Sequence, residues 1–145
     1  MAFIRRKTVN GKEYAQVVES YRVEGLGTPR QRVLLHLGDY TPAKALIYWP
    51  RFAGKQRELA AKDRAQAEKL SSDGYQKHRR QALTRSADAY DEDAERWESK
   101  VSVLRGLIEQ GKLEVSEEDV RQVEEESAAA LKRLEELTAR IEGRL

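Results

Sequence analysis

Two histidines, two acidic runs and a set of Arg and Lys side chains are the residues of this chain whose types could do chemistry. Acid–base or metal chemistry needs such groups brought together where their surroundings can tune them. His36 sits in the strand-like run VLLHLG and His78 near a helix start, with no carboxylate common to both. His36 alternates with Leu35 and Leu37, so it is expected on the polar side of its strand. The run from Asp88 to Glu95 holds five carboxylates. It lacks the sixth-position glycine and the ligand spacing of a calcium loop. Like Glu124-Glu125-Glu126, it reads as a solvated helix face. No glycine-rich phosphate loop, serine-nucleophile motif or zinc spacing is present, and the absence of cysteine excludes disulfide and thiol chemistry. No catalytic residue, cofactor or metal is expected, and hence no enzyme.

The basic residues are more informative. Arg5, Arg6 and Lys7, then Lys12, Arg22, Arg30 and Arg32, would cluster around a small sheet. Antiparallel strands can enter a DNA major groove, with Arg reading guanine and Lys anchoring phosphates. Lys44, Arg51, Lys55, Arg57, Lys62 and Arg64 extend the positive charge into the following helix, as phosphate contacts would. The plainer alternative is that edge strands carry Lys and Arg to prevent sheet-to-sheet pairing. Residues 1–40 hold seven basic and four acidic side chains, a net of only +3. Over a longer span the asymmetry grows: 17 Lys/Arg against 8 Asp/Glu in residues 1–80, 10 against 17 in residues 81–145. A basic half and an acidic half suit either a nucleic-acid face with an acidic tail or head-to-tail self-association. Charged helical surfaces kept for solubility are the third reading.

The elements that must position these residues follow from turn chemistry and periodicity. Asn10-Gly11 is a strong hairpin signal, because a type I′ turn needs positive φ at both central residues. It separates FIRRKTV from a second strand, Glu13 to Val23; a turn-rich connector, Glu24 to Pro29, leads to a third, Gln31 to Leu37. Alternation puts Ala15, Val17, Tyr21 and Val23 on one face of the second strand, and Val33, Leu35 and Leu37 together on the third. Residues 1–40 are thus expected to form a three-stranded antiparallel sheet. Residues 41–70 are a basic helical segment packing on it, with a Thr41 N-cap, Pro42 at the first helical position and an interruption or restart at Pro50. Leu46, Trp49 and Phe52 are the natural lid for the sheet's apolar face.

Ser71-Ser72-Asp73-Gly74 breaks the helical pattern, and the cleanest periodicity of the chain follows. Leu83, Tyr90, Trp97 and Leu104 occupy one heptad position; Ala87, Ala94, Val101 and Ile108 occupy the other. Tyr75 to Glu109 would be a rod of roughly 50 Å at the helical rise. Gln110-Gly111-Lys112 closes it. Ser116, followed by Glu117, Glu118 and Asp119, caps a last helix that repeats the heptad with Val120, Ser127, Leu134 and Ile141 at one position and Val123, Ala130 and Leu137 at the other. A short connector favours an antiparallel hairpin over 75–145, with arms 75–109 and 116–145. Dimerisation through the same stripe is the alternative. The fold class is α+β, a small antiparallel sheet followed by long helices in a coiled-coil-like hairpin.

The order FIRRK, Asn10-Gly11-Lys12-Glu13-Tyr14, Val18-Glu19-Ser20-Tyr21-Arg22, Arg30-Gln31-Arg32-Val33-Leu34 and Leu37-Gly38 resembles the N-terminal leader of certain DDE-type insertion-sequence transposases. The resemblance spans residues 3–38. It implies a leader that helps bind transposon ends ahead of a ribonuclease-H-like domain whose metal-bound carboxylates cut and join DNA. A chain ending at Leu145 leaves no room for that domain, so no catalytic residue or metal carries over; only the basic strand positions do. Two functions are expected from this. One is a DNA-binding module of a mobile element that takes double-stranded DNA on its strands and pairs with itself through its helices. The other is a coiled-coil protein whose sheet caps a stalk that binds another protein. No apolar run is long enough to span a bilayer and no secretory leader is evident, so a soluble cytoplasmic chain is expected.

Overall fold

The computed structural model describes residues 2–143. Met1, and the last two residues of the expected helix 116–145, lie outside the described residues. Six elements follow in order: β1 (Ala2–Val9), β2 (Lys12–Tyr21), β3 (Arg30–Gly38), α1 (Pro42–Glu68), α2 (Tyr75–Glu109) and α3 (Glu117–Ile141). The three strands form one antiparallel sheet in the order β1-β2-β3, so the α+β class holds. The chain divides into two compact units. One holds the residues through Ile47 together with those from Gln110 on; the other is Tyr48–Glu109.

In the first unit, Asn10 at φ 50° and Gly11 at φ 77° form the two-residue turn that closes β1 onto β2. That turn sets the register: Val9 faces Lys12, Arg5 faces Gln16 and Phe3 faces Val18. Directly opposed residues share a face. One face therefore carries Phe3, Arg5 and Lys7 with Lys12, Tyr14, Gln16 and Val18; the other carries Ile4 and Arg6 with Glu13, Ala15, Val17 and Glu19. Val17 and Val18 point to opposite faces and are both fully buried, as suits the central strand.

The pairing of β2 with β3 shifts register twice, between Ala15 and Gln16 and between Val17 and Val18. This corrects the expected common face for Val33, Leu35 and Leu37. Val33 lies opposite Val18 and is exposed, whereas Leu35 lies opposite Val17 and is buried. An extra residue in one strand breaks simple alternation, because two residues then answer one on the partner.

Thr41 caps α1 by accepting the Lys44 N–H at 3.2 Å, with Pro42 in the first turn where its missing N–H costs nothing. Ala43 and Ala45 at the start of α1 are buried, as are Leu35 and Leu37 of β3. Ser116 caps α3, accepting the Asp119 N–H at 3.0 Å, and Glu117, Glu118 and Asp119 complement the helix dipole. Lys112, just before α3, reaches Glu19 on the sheet at 3.1 Å. Within α3, Val123 and Ser127 are buried, but Leu131, Leu134, Leu137 and Ile141 are exposed.

The second unit is an antiparallel helical hairpin. The interruption expected at Pro50 does not occur, since α1 runs through it. A mid-helix proline costs about 3 kcal/mol in isolation. Here the flanking residues are held by packing: Trp49 is buried, and Trp49 and Phe52 lie 6.1 and 5.1 Å, ring centre to ring centre, from Trp97 of α2. The Lys100 ammonium lies 4.8 Å from the Trp49 ring and 5.2 Å from that of Trp97, close enough for cation–π attraction.

Within its own unit α2 is faced by α1, an arm for which periodicity gave little apolar signal. The ion pairs and ring contacts of α2 within its unit run to α1, which supplies a buried alanine at every seventh position, Ala53, Ala60 and Ala67. Buried Ala87, Ala94 and Val101 repeat the same spacing on α2. Small side chains let two helix backbones approach closely, so an arm poor in large apolar residues still makes a seam. Of the expected seam residues on α2, Val101 and Leu104 are buried and Leu83, Tyr90, Trp97 and Ile108 are half-buried.

Candidate nucleic-acid interface

The seven basic residues singled out on the strands do not share one surface. Arg5, Lys7 and Lys12 belong to one face of the β1–β2 ladder, and Arg6 to the other. Arg32 lies opposite Glu19 and Arg30 opposite Tyr21, which puts both on the Arg6 side. Arg22 follows β2 and is exposed.

On the Arg6 side, cations meet carboxylates. The Arg6 guanidinium lies 3.6 Å from Glu13. Arg32 donates through Nε and Nη2 to Glu19 Oε2 at 3.1 and 2.7 Å, and its guanidinium also lies 5.4 Å from the centre of the Tyr21 ring. Lys112 takes the second Glu19 oxygen. Hydrogen bonds from Arg32 first, then Lys112, hold the Glu19 carboxyl below its ordinary range. This is a structural ion cluster, and much of its positive charge is already answered.

The opposite face is built differently. Arg5 Nη2 donates to Gln16 Oε1 at 2.9 Å and its Nη1 to Gln31 Oε1 at 3.1 Å. The Gln16 amide is 3.2 Å from His36 Nδ1, and an amide nitrogen can only donate, so the imidazole accepts. His36 is exposed on the polar side, as alternation leads one to expect. Among the described residues no carboxylate pairs with Arg5, Lys7 or Lys12. The result is a chain Gln31–Arg5–Gln16–His36 flanked by two free ammonium groups, with Tyr14 exposed between them. Gln16 and Gln31 escaped sequence reasoning. The two-residue turn already sets Arg5 opposite Gln16, so the first was legible; Gln31 depended on the irregular β2–β3 register.

The cations expected to continue the patch along α1 are partly spent inside the hairpin. Arg57 reaches Asp91 at 2.9 Å and Glu98 at 2.9 Å. Arg64 reaches Asp88 at 3.0 Å and Asp91 at 2.5 Å. Asp91 sits between the two guanidiniums, and hydrogen bonds from Arg64 and then Arg57 push its carboxyl below the ordinary range. Both arginine pKa values are raised by the same bonds. The run Asp88–Glu95 is therefore partly a solvated face and partly the acidic side of an interhelical ladder. Among the described residues, no group of three or more His, Asp or Glu is arranged to hold a metal ion, and no helix is long and apolar enough to cross a membrane.

Residues 4–79 match the family described as the IS1634 family transposase, N-terminal domain. No curated protein and no solved structure matches the chain.

Proposed function

The chain belongs to the family of the IS1634 transposase N-terminal domain, and from that premise we propose that it is a non-catalytic module that binds double-stranded DNA on its sheet and associates with itself through its last helix. The observation that supports DNA binding most is the Arg5 face. Arg and Gln are the side chains whose paired donors and acceptors match guanine and adenine edges in the major groove. Here Arg5, Gln16 and Gln31 brace one another, which reduces the entropy lost on ordering them at a target. Lys7 and Lys12 are placed as phosphate anchors beside them. Arg6 and Arg32, held by Glu13 and Glu19, serve the fold of the sheet instead.

The test separates the two faces. Arg5→Ala, Lys7→Ala and Lys12→Ala combined should weaken duplex binding and lower the slope of log K against log salt by about 0.9 per lost phosphate contact. Arg32→Ala should leave DNA affinity nearly intact while lowering thermal stability, because Glu19 loses its principal partner. Unchanged mobility of labelled duplex at low salt with the unsubstituted protein would sink the reading.

Self-association rests on α3. Leu131, Leu134, Leu137 and Ile141 form an exposed apolar stripe that continues the half-buried Val120 and the buried Val123 and Ser127. At 100° per residue, Arg133 and Arg140 border this stripe on one edge and Glu135 and Glu142 on the other. Parallel pairing of two copies sets the acidic edge of one against the basic edge of its partner; antiparallel pairing sets like against like. A parallel homodimer is the arrangement we favour. The same exposed stripe favours the second reading, a helical stalk that binds another protein.

A further inference from the structure

We propose that the tip of the α1–α2 hairpin is a second binding site for the phosphate backbone of duplex DNA, separate from the sheet. Residues 69–85 hold five Lys/Arg, namely Lys69, Lys77, Arg79, Arg80 and Arg85, and a single carboxylate, Asp73.

Their placement works against the helix that bears them. A helix N-terminus carries partial positive charge and favours anions. The first turn of α3 follows that rule with three carboxylates, whereas the first turn of α2 has none, and Lys77, His78, Arg79 and Arg80 crowd its first two turns. Cations added to the positive end of a dipole are unfavourable until an anion arrives, and helix N-termini suit phosphate. The carboxylates of α2 do not relieve them. Asp88, Asp91 and Glu98 go to Arg64 and Arg57 of α1, and among the described residues none of the five tip cations has an ion-pair partner.

The geometry gives these charges a common site. Lys77, Arg80, Gln81, Thr84 and Arg85 fall at i, i+3, i+4, i+7 and i+8 on one side of α2 and, with Ser72, line an open cavity of about 420 Å³. The loop beneath is braced: the Ser71 N–H donates to Gln76 Oε1 at 2.8 Å and the Asp73 N–H to Ser71 Oγ at 3.2 Å. Tyr75, at 84% exposure, opens the helix beside the cluster, with its hydroxyl free to reach sugar or phosphate. A lining of cations, amide and hydroxyls without a carboxylate is the chemistry that phosphodiesters take.

This inference rests on the DNA-binding reading above, and the experiment separates their failures. Binding of the full chain to labelled duplex is measured by fluorescence anisotropy across a salt series, with thermal melting as the folding control. Lys77→Gln, Arg80→Gln and Arg85→Gln combined should weaken low-salt affinity at least about tenfold and make the log K–log salt slope shallower by about 2–3. The melting temperature should hold or rise, since a cation leaves the helix N-terminus. The charge-keeping set Lys77→Arg, Arg80→Lys and Arg85→Lys should preserve the slope. An unsubstituted protein that binds DNA with a slope equal to that of the Gln variant overturns the tip site and leaves the sheet reading standing. No binding by the unsubstituted protein overturns both.

Discussion

Asp91 shows how one side chain can decide the role of its neighbours. Its two oxygens take Arg57 and Arg64, so two cations that look on paper like phosphate anchors are partly committed to the hairpin. The folded-state carboxyl is held low by those bonds, so its stabilising effect is fully present above the ordinary carboxylate pKa and is lost as pH falls through the depressed one. The melting temperature of the protein should therefore decline from roughly pH 5 downward, the window in which paired carboxylates are protonated. Asp91→Asn should start lower at neutral pH and decline less steeply; an identical acid slope in the variant would assign the effect elsewhere. Glu19 contributes in the same direction within the sheet unit, through Arg32 and Lys112.

At the scale of elements, the hairpin is made by small residues on one arm. Ala53, Ala60 and Ala67 of α1 are all buried, and Ala60 is 1% exposed. Ala60→Leu adds three carbons where there is no room for them, and overpacking of this kind costs about 1–3 kcal/mol. Chemical denaturation should show that loss, whereas Ala61→Leu, one residue on and exposed, should change stability by less than about 0.5 kcal/mol. Equal effects at the two positions would refute a close alanine seam. Pro50 makes a related point: packing around Trp49, Phe52 and Trp97 holds a helix that local propensity would break.

Over the whole molecule, charge and apolar surface are assigned to different stretches of chain. Residues 1–80 carry a net +9 and residues 81–145 a net −7. The exposed apolar stripe lies in the acidic part, on α3, with Ile141 78% exposed. If α3 pairs in parallel with a second copy, Leu134→Glu with Ile141→Glu should convert a dimer into a monomer by light scattering, with helical content nearly unchanged. Arg133→Glu with Arg140→Glu should weaken the dimer, and adding Glu135→Lys with Glu142→Lys should restore it, because the edges are then exchanged. A monomeric unsubstituted protein at high micromolar concentration would refute the pairing.

Much of this was determined by sequence alone, and for local reasons. The Asn10-Gly11 turn, the Thr41 and Ser116 caps, the break at Ser71–Gly74 and the α2 heptad depend on backbone preferences and side chains within a few residues of each other. The strand order and the α+β class followed from them, and so did the family, whose match covers the three strands and α1. Only the tertiary structure decided which elements meet. The β2–β3 bulges moved Val33 to the face opposite Leu35, and α1 meets α2 through alanines whose value appears only when another backbone lies against them. It also decided which cations are free. Charge is written in the sequence, but whether Arg57 neutralises Asp91 or Lys77 stands unpaired is a matter of distance, and distance belongs to the fold.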